Sequence, residues 1–225
     1  MPHEFGALPR ILKLRFFRPP RRLRCMATIY VVETSPTKKE FVTAWLDKQF
    51  WGGSEEPELI GTYRFDDTGG EVGFEGFILK RDDKILHLPM TYRAAPLEGA
   101  EDYLIVKMDH PVLGDRWAYD AMADPVGIHM LNQALAGEIQ QAEFHFYNQD
   151  GQYQGTEDSD ISIYIRGELP EDWGTVSVHH VLDHLDQDGG ELRRLVGRWE
   201  DASATLFELT PTQTTPTETQ PIISA

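Results

Sequence analysis

Three β-like runs separated by two clusters of turn formers constrain this chain more than any other feature. Leu59–Phe65, Val72–Lys80 and Ile85–Tyr92 are rich in β-branched and aromatic residues. Between them stand Asp66-Asp67-Thr68-Gly69-Gly70 and Arg81-Asp82-Asp83-Lys84, whose residues reverse the chain cheaply. Links this short impose antiparallel neighbours, because a parallel return needs a crossover of about a dozen residues. The segment is therefore predicted as an antiparallel meander with one face free to receive a helix.

A helix is predicted immediately upstream, near residues 36–49. Ser35 supplies an N-cap, Pro36 the first helical position, and Phe41, Val42, Trp45 and Leu46 fall at helical spacing. The run Ala27–Val32 reads as a first strand. Downstream, Leu104–Met108 is a strand, Val112–Tyr119 a short strand or turn, and Asp124-Pro125 opens a helix continued by Ile128, Leu131 and Leu135. Strand patterns return at residues 143–147, 161–165, 176–181, 192–199 and 205–209. The expected class is α+β, strand-rich, an antiparallel β-sheet meander packed by a few short helices. The expected division is a subdomain over 26–95 and a second β-rich subdomain over 96–209 packed on it. Residues 210–225 form a Thr/Pro tail with too few large apolar side chains to pack.

Charge is distributed unevenly. Residues 1–25 hold seven basic side chains against the single acid Glu4, so everything after them is more acidic than the overall −16. A folded body of that sign repels phosphate backbones, which argues against nucleic-acid binding. The leader has no apolar run long enough for a signal-peptide core or a membrane span, and Pro19 and Pro20 interrupt any helix in it. The abrupt shift in composition marks Met26 as the expected start. One cysteine, Cys25, permits no internal disulfide and fits a reducing cytoplasm.

The densest candidate for chemistry is His179-His180-Val181-Leu182-Asp183-His184. On a helix, His180 and His184 would share a face at metal-ligand spacing. The alternation Val176-Ser177-Val178 just before points instead to a strand, in which neighbouring histidines face opposite ways. Glu157-Asp158-Ser159-Asp160 lacks the glycine and distal glutamate of a calcium loop and reads as a solvated turn. No phosphate-binding glycine loop, nucleophile elbow or kinase catalytic loop is present, and no cofactor is called for. Five tryptophans raise sugar stacking; Trp45 falls on the apolar helix face, whereas Trp51, beside flexible glycines, is the better candidate for exposure.

The order of Trp45, Phe50-Trp51-Gly52-Gly53, Gly61-Thr62-Tyr63-Arg64-Phe65 and Leu86-His87-Leu88-Pro89-Met90-Thr91-Tyr92-Arg93 resembles the N-terminal cap domain of actinobacterial maltokinases. Residues 112–121 and Asp124-Pro125 are similar to the segment that follows that cap, so the likeness spans roughly 27–135. The resemblance implies a link to maltose, trehalose and α-glucan metabolism. The kinase lobes have no counterpart, so no catalytic residue carries over. The expected function is a non-catalytic accessory or regulatory protein working through a protein partner, with Trp51, Tyr92, Arg93 and Trp117 as binding candidates. Two alternatives stay open: a carbohydrate or sugar-phosphate binding domain, and a glucan-active enzyme of branching type.

Overall fold

The computed structural model describes residues 26–67, 69, 70, 72–171, 174–182 and 191–210. The basic leader and residues 211–225 fall outside that set. Three sheets and two α-helices are built from them. The central layer is a five-stranded antiparallel sheet in the order β2-β3-β4-β6-β5. Its strands are β2 (Glu58–Asp66), β3 (Gly73–Arg81), β4 (Lys84–Arg93), β5 (Leu104–His110) and β6 (Gly114–Asp120). The three predicted runs thus form consecutive hairpin strands, and the α+β, meander-dominated class holds.

The central sheet takes strands from both sides of the expected boundary at 95/96. β5 and β6 complete the sheet begun by β2–β4, with Arg93 opposite Trp117 and Met90 opposite Asp120. Both faces of this sheet are covered, which is why β3 and β4 are buried along almost their whole length. On one face, Phe77, Leu79, Leu86, Leu88 and Met90 pack with Phe41, Val42, Trp45 and Leu46 of α1 (Lys38–Leu46). On the other, Tyr63, Phe65, Phe74 and Ile78 pack with α2 (Pro125–Ala136) and with a four-stranded sheet.

That second sheet has the order β10-β12-β11-β9 and contributes Leu195, Trp199, Leu206, Phe207 and Leu209 to the same core. Its strands are β9 (Ser162–Arg166), β10 (Thr175–Val178), β11 (Arg194–Trp199) and β12 (Ala202–Thr210). Thr210, assigned above to the tail, is the last residue of β12 and lies opposite Thr175. A third sheet joins β1 (Met26–Tyr30), β7 (Glu143–Tyr147) and β8 (Tyr153–Glu157), and its β1–β7 pair is parallel. β8 escapes sequence reading because it is an edge strand with no buried side chain and hence no alternating apolar signal.

Helix α1 begins two residues later than its proline suggests. Ser35 is held in a bridge to Asp109, donating to its carbonyl (3.1 Å) and accepting from its N–H (2.9 Å), so it is unavailable as a cap. Thr37 caps instead: its hydroxyl accepts from the Glu40 N–H (3.3 Å) and the Glu40 carboxylate accepts from the Thr37 N–H (2.8 Å). Asp124 caps α2 as expected, accepting from the Val126 N–H (2.9 Å).

His87 lies at the centre of the assembly, fully buried on β4 and facing the four-stranded sheet. Its Nδ1–H donates to the His179 carbonyl (3.0 Å), which leaves Nε2 to accept from the Tyr63 hydroxyl (2.8 Å). The ring stands edge-on to Phe207 at 5.0 Å. Tyr63 in turn lies across Gly76, where a Cβ would come within 2.2 Å of the phenol ring. The outer edge of β4 is extended by the chain around His180, with the His87 N–H donating to the His180 carbonyl (2.9 Å) and the Leu182 N–H to the Ile85 carbonyl (2.8 Å). Pro89, lacking an N–H, falls between that bridge and the start of β6 pairing at Met90.

Burial lowers the His87 pKa from its ordinary 6.5 to about 3, with the nearby His180 and His179 lowering it further against the raising effect of the His179 carbonyl. The unfolded chain therefore binds a proton at His87 between about pH 6.5 and 3 that the folded chain does not. Stability is full above the unfolded pKa and falls on acidification, by up to about 1.4 kcal/mol per pH unit from this one group. In urea unfolding between pH 7 and 5, His87→Gln should flatten that dependence. Tyr63→Phe should lower stability by about 1–3 kcal/mol at pH 7 by leaving Nε2 without its donor.

Candidate functional site

A continuous groove runs between the small three-stranded sheet and the α1 face of the central sheet. One end, of about 760 Å³, is walled by Ile29, Phe144 and Phe146 from the small sheet and by Val42, Phe77 and Leu79 opposite. The other, of about 780 Å³, reaches Tyr30, Met108, Tyr92 and Arg116. Ile29, Lys38, Lys39 and Glu75 line both ends.

Glu75 anchors the polar part. It sits on β3 at the same parity as Phe77 and Leu79, so the pleat turns it inward with them, and it is 3% exposed. Lys38 Nζ, from the first turn of α1, donates to both carboxylate oxygens at 2.9 and 3.1 Å, and the Tyr92 hydroxyl donates at 2.8 Å. Arg64 lies directly across the β2–β3 ladder from Glu75 and is paired with Asp66 at 3.4 Å. Its Nε is buried with no hydrogen-bond partner among the described residues.

Burial by itself raises the Glu75 carboxyl, but Lys38, Arg64 and the Tyr92 hydroxyl together outweigh it and hold the group below the usual glutamate value. Asp66 goes the other way: burial raises it, Glu75 adds to that, and Arg64 only partly compensates. Tyr92 is pushed well above an ordinary phenol by burial and by Glu75. The result is a wall of fixed donors and acceptors beside apolar side chains. Lys38, Arg64 and Glu75 were not singled out from the sequence. The available signal was an acid inside the otherwise apolar strand Gly73-Phe74-Glu75-Gly76-Phe77-Ile78.

The four residues put forward as binding candidates do not meet in one place. Tyr92 belongs to the groove. Arg93, the next residue on β4, points to the opposite face and grips Asp124 with Nε and Nη2 at 2.6 Å each. Asp124 is fully buried and also accepts from the Thr91 hydroxyl at 2.7 Å. Trp117, opposite Arg93 in the ladder, is half-buried with Lys107 Nζ 5.2 Å from its ring. Trp51 is half-buried rather than free: its ring stacks on His180 at 4.6 Å and 7°, while neighbouring Phe50 is fully exposed.

The loop that carries Trp51 is fixed from the β3–β4 turn. Arg81 donates to the Gly52 and Glu55 carbonyls and pairs with Asp47, and Asp82 accepts from the Ser54 and Glu55 N–H groups. Gly52 passes so near the end of α1 that a Cβ would fall 1.9 Å from the Leu46 carbonyl oxygen. None of Trp45, Trp51, Trp117 and Trp199 lines either end of the groove.

His180 follows β10 at a bend rather than in a helix, and its Nδ1–H donates to the His87 carbonyl at 3.0 Å. His184 lies outside the described residues, as do Asp183 and Trp173. Among the described residues no group of three His, Cys, Asp or Glu side chains is placed to hold a metal ion. Nor is any helix among them long and apolar enough to cross a membrane.

Residues 45–124 match the maltokinase N-terminal cap domain. No curated protein is similar enough to the chain to count as a match. The matched cap segment begins in the last turn of α1, takes in all of β2–β6 and ends on Asp124, the N-cap of α2. The likeness read over 27–135 thus narrows to one structural layer. Tyr92, Glu75 and Arg64 belong to the cap segment, whereas Lys38 and the small sheet that closes the groove lie outside it.

The Arg93–Asp124 clamp ties the last strand residue of β4 to the start of α2. Burial raises the Asp124 carboxyl, but Arg93, Thr91 and the Val126 N–H together hold it below its usual value. Its contribution to stability is therefore present above the ordinary aspartate pKa and is lost as pH falls through the lower folded one. Arg93→Ala should cost about 3 kcal/mol at pH 7 in chemical denaturation, because a buried carboxylate loses its counter-charge. Arg93→Lys should recover only part of it, since lysine cannot make the bidentate contact.

Proposed function

We propose that this chain is a non-catalytic accessory or regulatory module linked to maltose, trehalose and α-glucan metabolism, acting in the cytoplasm through a protein partner. One observation carries the reading: the segment matching the maltokinase cap domain is a whole sheet, intact from its first strand to its last. A cap that packs beside kinase lobes within one chain has a surface suited to pack beside an enzyme supplied separately. The lone cysteine, Cys25, suits a reducing compartment. A second reading, a carbohydrate-binding module, is favoured by the groove beside Glu75.

Tagged full-length chain should retain a maltokinase, or a trehalose- or glucan-processing enzyme, from lysate of its host. The same pair should associate when both are purified and mixed in calorimetry. Turnover of maltose and ATP, or of an α-glucan, by the purified chain alone would sink the accessory reading.

A further inference from the structure

The groove is apolar along its floor and acidic around its rim. Over its whole length the lining holds nine carboxylates against four cations. Three of those cations are already matched within the wall, Lys38 by Glu75, Lys39 by Glu56 and Arg64 by Asp66. Glu58, Glu157, Asp158 and Asp160 stand exposed around Phe144 and Leu79 and are paired with no cation among the described residues. An apolar trough with such a rim fits a chain segment that brings large hydrophobes and positive charge together.

The basic leader is such a segment, and it joins the fold at this groove. Met26, Thr28, Ile29 and Tyr30 of β1 line one wall, so residue 25 is attached at the groove's edge. Ala27 and Glu157 both lie opposite Phe144 in the small sheet, which puts the start of β1 two strand spacings, about 10 Å, from the acidic rim. Residues 10–24 carry seven basic side chains and no acid. Within them Leu12-Lys13-Leu14-Arg15-Phe16 alternates hydrophobe and base, a pattern that in extended chain turns one kind of side chain to a floor and the other to a rim. Fifteen extended residues reach about 50 Å, more than the width of a small domain, so length does not limit docking. Tethering at Met26 gives the segment an effective concentration of about millimolar, so individually weak contacts suffice. We propose that residues 10–24 dock along this groove, with Leu12, Leu14 and Phe16 toward its floor and the basic side chains over Glu58, Glu157, Asp158 and Asp160. On this reading the break in composition at Met26 separates a docking segment from the fold that receives it. The inference goes beyond the accessory reading and does not rest on it.

The test uses the full 225-residue chain and, as probe, a fluorescein-labelled synthetic peptide of residues 10–24. Arg15→Ser, Phe16→Ser, Phe17→Ser and Arg18→Ser, made together in the chain's own leader, should free the groove. That variant is expected to bind the peptide saturably in fluorescence anisotropy, at least about tenfold more tightly than the unaltered chain, whose tethered leader competes. Adding Glu157→Lys and Asp158→Lys should weaken the binding about fivefold, and both positions are exposed, so the fold is spared. Glu200→Lys with Asp201→Lys, the same charge change on the exposed turn between β11 and β12, should have a much smaller effect. Peptide-induced amide shifts in nitrogen-15 spectra should cluster at Ile29, Leu79 and Phe144. The inference is overturned by no saturable binding, by equal peptide affinity of the two chains, by an equal loss from the Glu200 and Asp201 changes, or by shifts confined to another surface. A chain that sediments as a dimer only while its leader is intact gives the segment to a second copy and also overturns it. Retention of an enzyme partner by a chain whose leader does not dock overturns this inference and leaves the accessory reading standing.

Discussion

Burying His87 in its neutral form is the condition on which the two large sheets come together. The ring receives the Tyr63 hydroxyl from β2, gives its own hydrogen to the backbone at His179 and meets Phe207 from β12. These contacts join the central sheet to the four-stranded sheet through hydrogen bonds with little alternative geometry, within an apolar core that alone would set only proximity. A charged imidazole in that position would be desolvated without a counter-ion, so protonation of the ring opposes the fold.

The opposite face of the same sheet makes a different compromise. There α1 covers the apolar residues of β3 and β4, but toward its N-terminus the covering stops and Glu75 replaces a hydrophobe. Keeping that carboxylate ionised requires Lys38, Arg64 and Tyr92 around it, and the small parallel-paired sheet closes over the gap. A buried cluster of this kind contributes less to stability than apolar packing of similar volume.

The matched cap segment and its additions divide along these lines. The five-stranded sheet supplies one wall of the groove and one face of each core, while α2, β7–β12 and the first part of α1 lie outside the match and cover both faces. On the α2 side this sheet is covered by the chain's own later strands. Arg93 illustrates the point: a residue that reads as a surface contact is used internally to fasten α2 through Asp124.

The meander, both helices, the strand-rich class and the cap-like order of motifs were legible in the sequence, because turn chemistry and hydrophobic periodicity are local signals repeated over many residues. The cap of α1 was read on Ser35, whereas Thr37 takes that position because Ser35 is bridged to Asp109. The edge strand β8 carried no local signal, and the parallel pairing of β1 with β7, each read as a strand, is a contact between segments distant in sequence. The candidate site depended on tertiary structure altogether. Lys38, Arg64, Glu75 and Tyr92 lie on four different elements, and only strand register and the placement of α1 bring their side chains to one carboxylate. Tyr92 and Arg93, adjacent in sequence, were separated to opposite faces by the pleat of β4, so one entered the groove and the other became a structural clamp.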